Sequence, residues 1–125
     1  MKYVILIHSN PEPWGHPTDQ LTAEGRALPP EWHESAEAAF DARLAQMSER
    51  GELVHAEALG DPREARLVGW TPQGHPVSDG PYAETTEHLA GFFVIDVATQ
   101  ERAEEIADWF AQPGGTIELR PCWRG

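Results

Sequence analysis

Histidines and carboxylates are the residues of this chain whose types suit acid–base chemistry. Asp79 is followed by Gly80 and Pro81, a position where an aspartate can close an Asx-type turn while glycine takes a positive φ. The same carboxylate, held rigidly beside a strand, could instead orient a histidine for proton transfer. Asp79 is therefore a candidate catalytic residue, with an architectural turn as the alternative.

Two glutamates and two further histidines extend this set of candidates. Glu84 and Glu87 lie three residues apart beyond the turn, and paired carboxylates can act as acid and base when their surroundings differ. Their alternative role is a solvated turn or a helix cap. His8 ends the first apolar run and is expected at a pocket mouth, whereas His55 could face a cavity or solvent.

Other kinds of active site lack their sequence signals. The chain has six histidines but no His-Glu-x-x-His, no His-x-His and no cysteine pair, so we expect no metal. Gly114-Gly115 lacks the rest of a nucleotide fingerprint, and no serine lies in a nucleophile elbow, so we expect no cofactor and no serine nucleophile. Cys122, the single cysteine, excludes an internal disulfide and is interpreted as a packing residue.

Length and charge limit the classes of partner. With 125 residues, the chain fits one domain spanning 1–125. Its 21 acidic and 9 basic residues give a net charge of -12, which repels phosphate backbones and anionic lipids. No apolar stretch is long enough to cross a membrane. We therefore predict a cytoplasmic protein that binds neither nucleic acid nor membrane, with a small-molecule ligand as its partner.

The first half of the chain predicts a strand, a loop and a helix. Residues 2–8 form an apolar run typical of a central strand. Five prolines and two glycines in 9–30 exclude a long regular element there, so this segment is a binding rim, a lid or disordered. Trp14, within it, favours a pocket rim. Apolar residues at helical spacing then predict a helix from 31 to 50.

The second half predicts mainly strands. Strands are expected at 53–59, 65–70 and 89–97, with a turn at 71–74 and a short extended piece at 75–78. Thr99 is a plausible cap for a helix that ends before Pro113, and a final strand follows at 116–120. This β-α-β-β-β-α-β order predicts an α+β, ferredoxin-like fold with an antiparallel sheet and both helices on one face. The other face carries apolar residues, and a second copy of the chain is the simplest cover.

A family resemblance lies in the segment 78–97. It reads Ser-Asp-Gly-Pro-Tyr-Ala-Glu-Thr-Thr-Glu and, after one histidine, Leu-Ala-Gly-Phe-Phe-Val-Ile-Asp-Val. This closely resembles the YCII-related, DGPF-motif family, whose pattern is Asp-Gly-Pro-Phe-Ala-Glu-Thr-Lys-Glu followed by Leu-Gly-Gly-Phe. Tyr82 stands for the usual Phe, Thr86 for the usual Lys and Ala90 for the first Gly.

The resemblance implies a homodimeric α/β-barrel and a proposed His–Asp catalytic pair. His33 matches the histidine at the start of the first helix in relatives, so His33 with Asp79 is the predicted pair; a solvated His33 is the alternative. We expect His8, Trp14, Tyr82 and Glu84 to line the pocket.

The leading functional hypothesis is a cofactor-independent lyase or isomerase of small phenolic, quinonoid or lactone-like molecules. The alternatives are a non-catalytic ligand-binding or stress-related module, and an interaction subunit that acts through its dimer surface.

Overall fold

The computed structural model describes residues 1–83 and 85–124 and consists of one four-stranded sheet, one two-stranded ribbon and three helices. The strands and helices, in chain order, are β1 (Lys2–Ser9), α1 (Ala23–Arg26), α2 (Pro30–Glu49), β2 (Leu53–Ala58), β3 (Arg66–Val68), β4 (Val77–Asp79), β5 (His88–Asp96), α3 (Gln100–Trp109) and β6 (Gly115–Pro121). The predicted α+β class and the order of the long elements are confirmed.

The main sheet has the strand order β2-β5-β1-β6, and every neighbouring pair is antiparallel. Each of the two long helices therefore connects strands that are separated by one other strand, which is the split β-α-β arrangement of ferredoxin-like folds. The sheet is open, and no barrel closes within the described part of the chain. A barrel would need a second chain, as the prediction of a dimer assumed.

Alternation along the central strands places the core on one face of the sheet. Ile5 and Ile95 are fully buried and pack with residues of α3 such as Ile106. Val4 and Leu6 point to the opposite face and are only half-buried. The continuous apolar run at the start of the chain thus serves two surfaces, of which the helices cover one.

Helix α2 starts and ends as its sequence indicates. Pro30 occupies the first helical position, where its missing N–H and fixed φ are favourable. Arg50 caps the helix, and Gly51 follows with a φ of 69°, a left-handed conformation that suits glycine. Met47 is fully buried and Phe40 packs against the core, which confirms the predicted apolar face.

A buried ion pair joins α3 to Glu52, the residue that precedes β2. Arg102 donates from Nε and Nη2 to the two carboxylate oxygens of Glu52, each at 2.9 Å. The guanidinium also lies 4.8 Å from the centre of the Trp109 ring. The hydrogen bond from Arg102 holds the pKa of Glu52 below its usual range, although burial opposes this shift.

The ribbon of β3 and β4 is a separate sheet, in which Arg66 pairs with Asp79 and Val68 with Val77. It corresponds to the predicted strand at 65–70, turn at 71–74 and extended piece at 75–78, with β3 shorter than the expected 65–70. Within the described residues, no helix is long and apolar enough to cross a membrane.

Candidate functional site

A cavity of about 780 Å³ lies between α2 and the main sheet. Phe40, Phe93 and Phe110 form an aromatic cluster in its lining, and the rings of Phe93 and Phe110 stack at 4.4 Å. Leu44 and Ile7 extend this apolar surface. The cavity has a size typical of small-molecule sites, which range over roughly 300–1,000 Å³.

The proline-rich segment between β1 and α2 forms one wall of this cavity. His16 and residues of the 3₁₀ turn Thr18–Gln20 line it. The Trp14 indole and the His16 ring both bond the carbonyl of Leu59, at 3.0 and 2.9 Å respectively. These two bonds attach the segment to Leu59, the residue that follows β2. Its role as a binding rim stays a prediction.

At Gly25, helix α1 passes very close to the backbone of Asp19. A Cβ at Gly25 would lie only 1.5 Å from the backbone oxygen of Asp19, so a larger residue fits there only if the backbone shifts. Thr22 accepts a hydrogen bond from the Gly25 N–H at 3.1 Å and donates to the Pro113 carbonyl at 2.9 Å. The absence of a side chain at Gly25 therefore allows α1 to hold Asp19 close to α2.

His33, in the first turn of α2, is fixed by the same glycine. Its Nε2 lies 2.8 Å from the Gly25 carbonyl oxygen, and because a carbonyl only accepts, Nε2 carries a proton. Nδ1 is buried and has no hydrogen-bond partner within the described residues. It lies 3.6 Å from Oδ2 of Asp19, slightly beyond hydrogen-bonding distance.

Asp19 is the functional candidate that sequence reasoning missed. It is 8% exposed and lines the cavity. Its spacing of fourteen residues from His33 matches no local motif, so only the fold of the proline-rich segment brings the two together. The available signal was weak: an aspartate lies in a segment rich in turn residues that leads directly to the helix of His33.

Asp79, the predicted partner of His33, lies elsewhere in the single chain. It ends β4, is 88% exposed at its side chain, and has its Oδ1 3.5 Å from Nε of Arg66. In residues 1–83 and 85–124, no hydrogen bond or ion pair joins Asp79 to His33. A pairing of these residues across a dimer stays a prediction.

The predicted pocket-lining residues are dispersed. The described lining of the cavity does not include His8, Trp14 or Tyr82. His8 pairs with Glu118 at 3.2 Å, and Tyr82 is 90% exposed. Glu84 lies outside the described residues. These four assignments also stay predictions, since a second chain would change which surfaces face a pocket.

The charges that line the cavity are almost all negative. The carboxylates of Asp19, Glu37, Asp41 and Glu57 line it, together with two histidines. Across the described residues, no group of three His, Cys, Asp or Glu side chains has a geometry that could hold a metal ion. The carboxylates and histidines of the lining are general acid–base groups, and they share the cavity with an apolar surface.

Comparison with known proteins shows which family the chain belongs to. The model of the YCII-related domain matches residues 1–124, almost the whole chain. The chain belongs to the YCII-related domain family. It is also similar to an uncharacterised protein of Rhizobium meliloti (strain 1021), with 46% identity over 48 residues. That match spans 36% of this chain and 39% of the relative, so it covers well under half of the curated relative's length.

Proposed function

We propose that this YCII-related domain protein is a cytoplasmic, cofactor-independent lyase or isomerase that moves a proton on a small oxygenated molecule bound in the cavity. The observation that carries the proposal is the pairing of His33 Nδ1 with the buried Asp19 carboxylate, 3.6 Å apart, beside an aromatic surface. Buried titratable groups at a cavity wall are typical of acid–base sites.

Asp19 takes, in this proposal, the role that the sequence suggested for Asp79. The bond from Nε2 to Gly25 fixes the imidazole plane, which leaves Nδ1 to exchange a proton with Asp19. Catalytic hydrogen bonds are often long without substrate and tighten in the complex. A ligand that fills the cavity would press these two side chains together, and the second oxygen of Asp19 would then exchange a proton with the bound molecule.

His33→Gln tests the proposal with little disturbance of the fold. The glutamine amide can donate to the Gly25 carbonyl as Nε2 does, but it has no titratable nitrogen. We expect a loss of about 10²–10⁴-fold in turnover, the range typical of a general acid–base group. The assay is hydrogen–deuterium exchange at carbon, followed by NMR, in a panel of phenolic, quinonoid and lactone compounds.

The matched control is His75→Gln. His75 is exposed, lies outside the described lining and, like His33, has a ring nitrogen bonded to a backbone carbonyl, that of Gly69 at 3.1 Å, so the same change there should leave exchange unaltered. Full turnover in His33→Gln would contradict the acid–base role. Loss of turnover in both variants would show that the effect is not specific to the cavity.

One observation favours the alternative, a non-catalytic ligand-binding module. Nε2 of His33 is bonded to the Gly25 carbonyl and Nδ1 is buried, so neither ring nitrogen is exposed and free to meet a ligand. If this alternative is correct, ligands from the panel will bind wild type and His33→Gln alike, with no exchange catalysed by either.

We also propose a homodimer formed through the uncovered face of the main sheet. Val4, Leu6 and Val94 lie on this face, and apolar sheet faces are normally covered. Leu6→Glu places a charge at its centre and should shift the protein to a monomer in size-exclusion chromatography with light scattering. An exposed-ribbon variant, Val68→Glu, is the control. A monomeric wild type would contradict this proposal.

A further inference from the structure

We propose that the cavity selects organic cations, and specifically small molecules with an aromatic or apolar body and a protonated amine that binds Asp19. This inference rests on the proposed function only for the location of the site. It adds the charge of the ligand, which neither the family match nor the relative supplies.

The first support is the sign of the charges around the cavity. Four carboxylates line it, and its described lining contains no lysine or arginine. Sites for carboxylate or phosphate ligands use arginine or lysine to bind them. The two histidines of the lining, His16 and His33, can carry at most two positive charges against four carboxylates.

The second support is the hydrogen bonding of Asp19. Its side chain is 11% exposed, and no hydrogen bond reaches its carboxylate from residues 1–83 or 85–124. A buried carboxylate without donors is costly, so such groups are normally paired. His33 lies at 3.6 Å and supplies at most one N–H. A ligand ammonium has three donors and would complete the pairing of Asp19 from the cavity side.

The third support is the aromatic surface that lines the same cavity as Asp19. Phe40 contacts Phe110 at a ring separation of 5.5 Å, and both line the cavity. Aromatic faces attract cations through their quadrupole and also cover apolar rings. Carboxylate and aromatic groups together suit an amine attached to a ring, and they suit a carboxylate ligand poorly.

The electrostatic field of the whole chain also favours cationic ligands over anionic ones. The chain carries a net charge of -12, and a partly enclosed cavity with carboxylate walls concentrates this field. Glu37 and Asp41 lie on α2 at the exposed edge of the cavity. Anions are therefore repelled at the entrance as well as at the binding position.

Three probes of equal shape test the inference: benzylamine, benzyl alcohol and benzoate, titrated into the full chain by calorimetry or ligand-observed NMR. We expect benzylamine to bind best and benzoate worst, with about a tenfold or larger ratio between them at low ionic strength. The ratio should shrink as salt is added.

Variants identify the groups responsible. Asp19→Asn should remove most of the preference for benzylamine over benzyl alcohol. Glu37→Gln with Asp41→Asn, at exposed positions where folding is insensitive, should raise the relative affinity for benzoate. Glu34→Gln, an exposed carboxylate of the same helix outside the described lining, is the matched control and should change neither ratio.

The outcomes separate this inference from the proposed function. Equal binding of the three probes, tighter binding of benzoate, or no binding of benzylamine at millimolar concentration overturns the inference. His33→Gln should bind benzylamine at least as tightly as wild type, even though it loses turnover. Turnover of an anionic substrate that depends on His33 would overturn the charge selectivity while supporting the acid–base function.

Discussion

The buried pair of Arg102 and Glu52 allows a stability prediction with a defined size. Arg102→Met keeps much of the side-chain volume and its contact with Trp109 but removes the guanidinium. Glu52 would then keep only the longer contact with Arg50, whose Nε lies 3.4 Å from Oε1 and whose side chain is half exposed. The side chains of Arg102 and Glu52 are only 12% and 7% exposed, so water can replace few of the hydrogen bonds that Glu52 loses.

The magnitude follows from this burial. Removing one partner of a buried ion pair costs about 3–5 kcal/mol when the remaining charge is uncompensated. Because Arg50 stays near Glu52, we expect a loss at the lower end of this range, about 3 kcal/mol. Two charge-assisted bonds at 2.9 Å are lost here, and Arg102 also bonds Gln46 at 3.2 Å and Glu105 at 3.0 Å. For a domain of this length, the change corresponds to a drop of roughly 10–20 °C in Tm.

The assay is urea denaturation of wild type and Arg102→Met at neutral pH, with Arg63→Met as the control. Arg63 also donates two hydrogen bonds to a carboxylate, from Nε at 3.1 Å and from Nη2 at 2.7 Å to Oδ2 of Asp61, but this pair lies at the surface. Exposed pairs contribute little because water and salt screen them. We expect no measurable change in the control.

Equal effects of Arg102→Met and Arg63→Met would refute the reasoning, since the two pairs differ mainly in burial. A small loss in Arg102→Met with an unchanged denaturant slope would show that the core relaxes to hydrate Glu52. The double variant Arg102→Met with Glu52→Leu provides a further check. It removes both charges and should recover part of the lost stability.

Two further predictions concern the same chain. The pKa of Glu52 is lower in the folded than in the unfolded state. Its contribution to stability is therefore present above about pH 4.3 and is lost as the pH falls through the folded pKa. Acid titration monitored by circular dichroism should show this loss, with a weaker pH dependence in Arg102→Met. Gly25→Ala should destabilise by about 2–3 kcal/mol from overpacking against Asp19, whereas a helix with space at that position would gain from the better helix propensity of alanine; thermal denaturation gives the sign.

The strands and helices were predictable because their signals are local. The run from Tyr3 to Ile7 indicated a central strand, and Thr99 caps α3 by accepting a hydrogen bond from the Arg102 N–H, as predicted. Antiparallel β1 and β5 then follow from the order of elements and the handedness of the crossovers. Short elements were less predictable: α1 has four residues and lies in a segment that the prolines marked only as irregular.

The site was less predictable because its residues come together only in the fold. His33 was identified as a candidate, but the prediction paired it with Asp79, which in the single chain lies on an exposed ribbon. The nearby carboxylate is Asp19, brought there by the close crossing at Gly25. A glycine required for space, rather than for a positive φ, gives no signal in a single sequence.

The sequence by itself determined the fold class, the positions of the long elements and the family, because apolar periodicity, caps and the motif at 78–97 act over short distances along the chain. Only the tertiary structure decided which groups share the cavity. Burial, the direction of the His33 bond to Gly25 and the negative lining depend on contacts between residues far apart in sequence. These contacts fix the local electrostatics, and the proposed chemistry of the site follows from them.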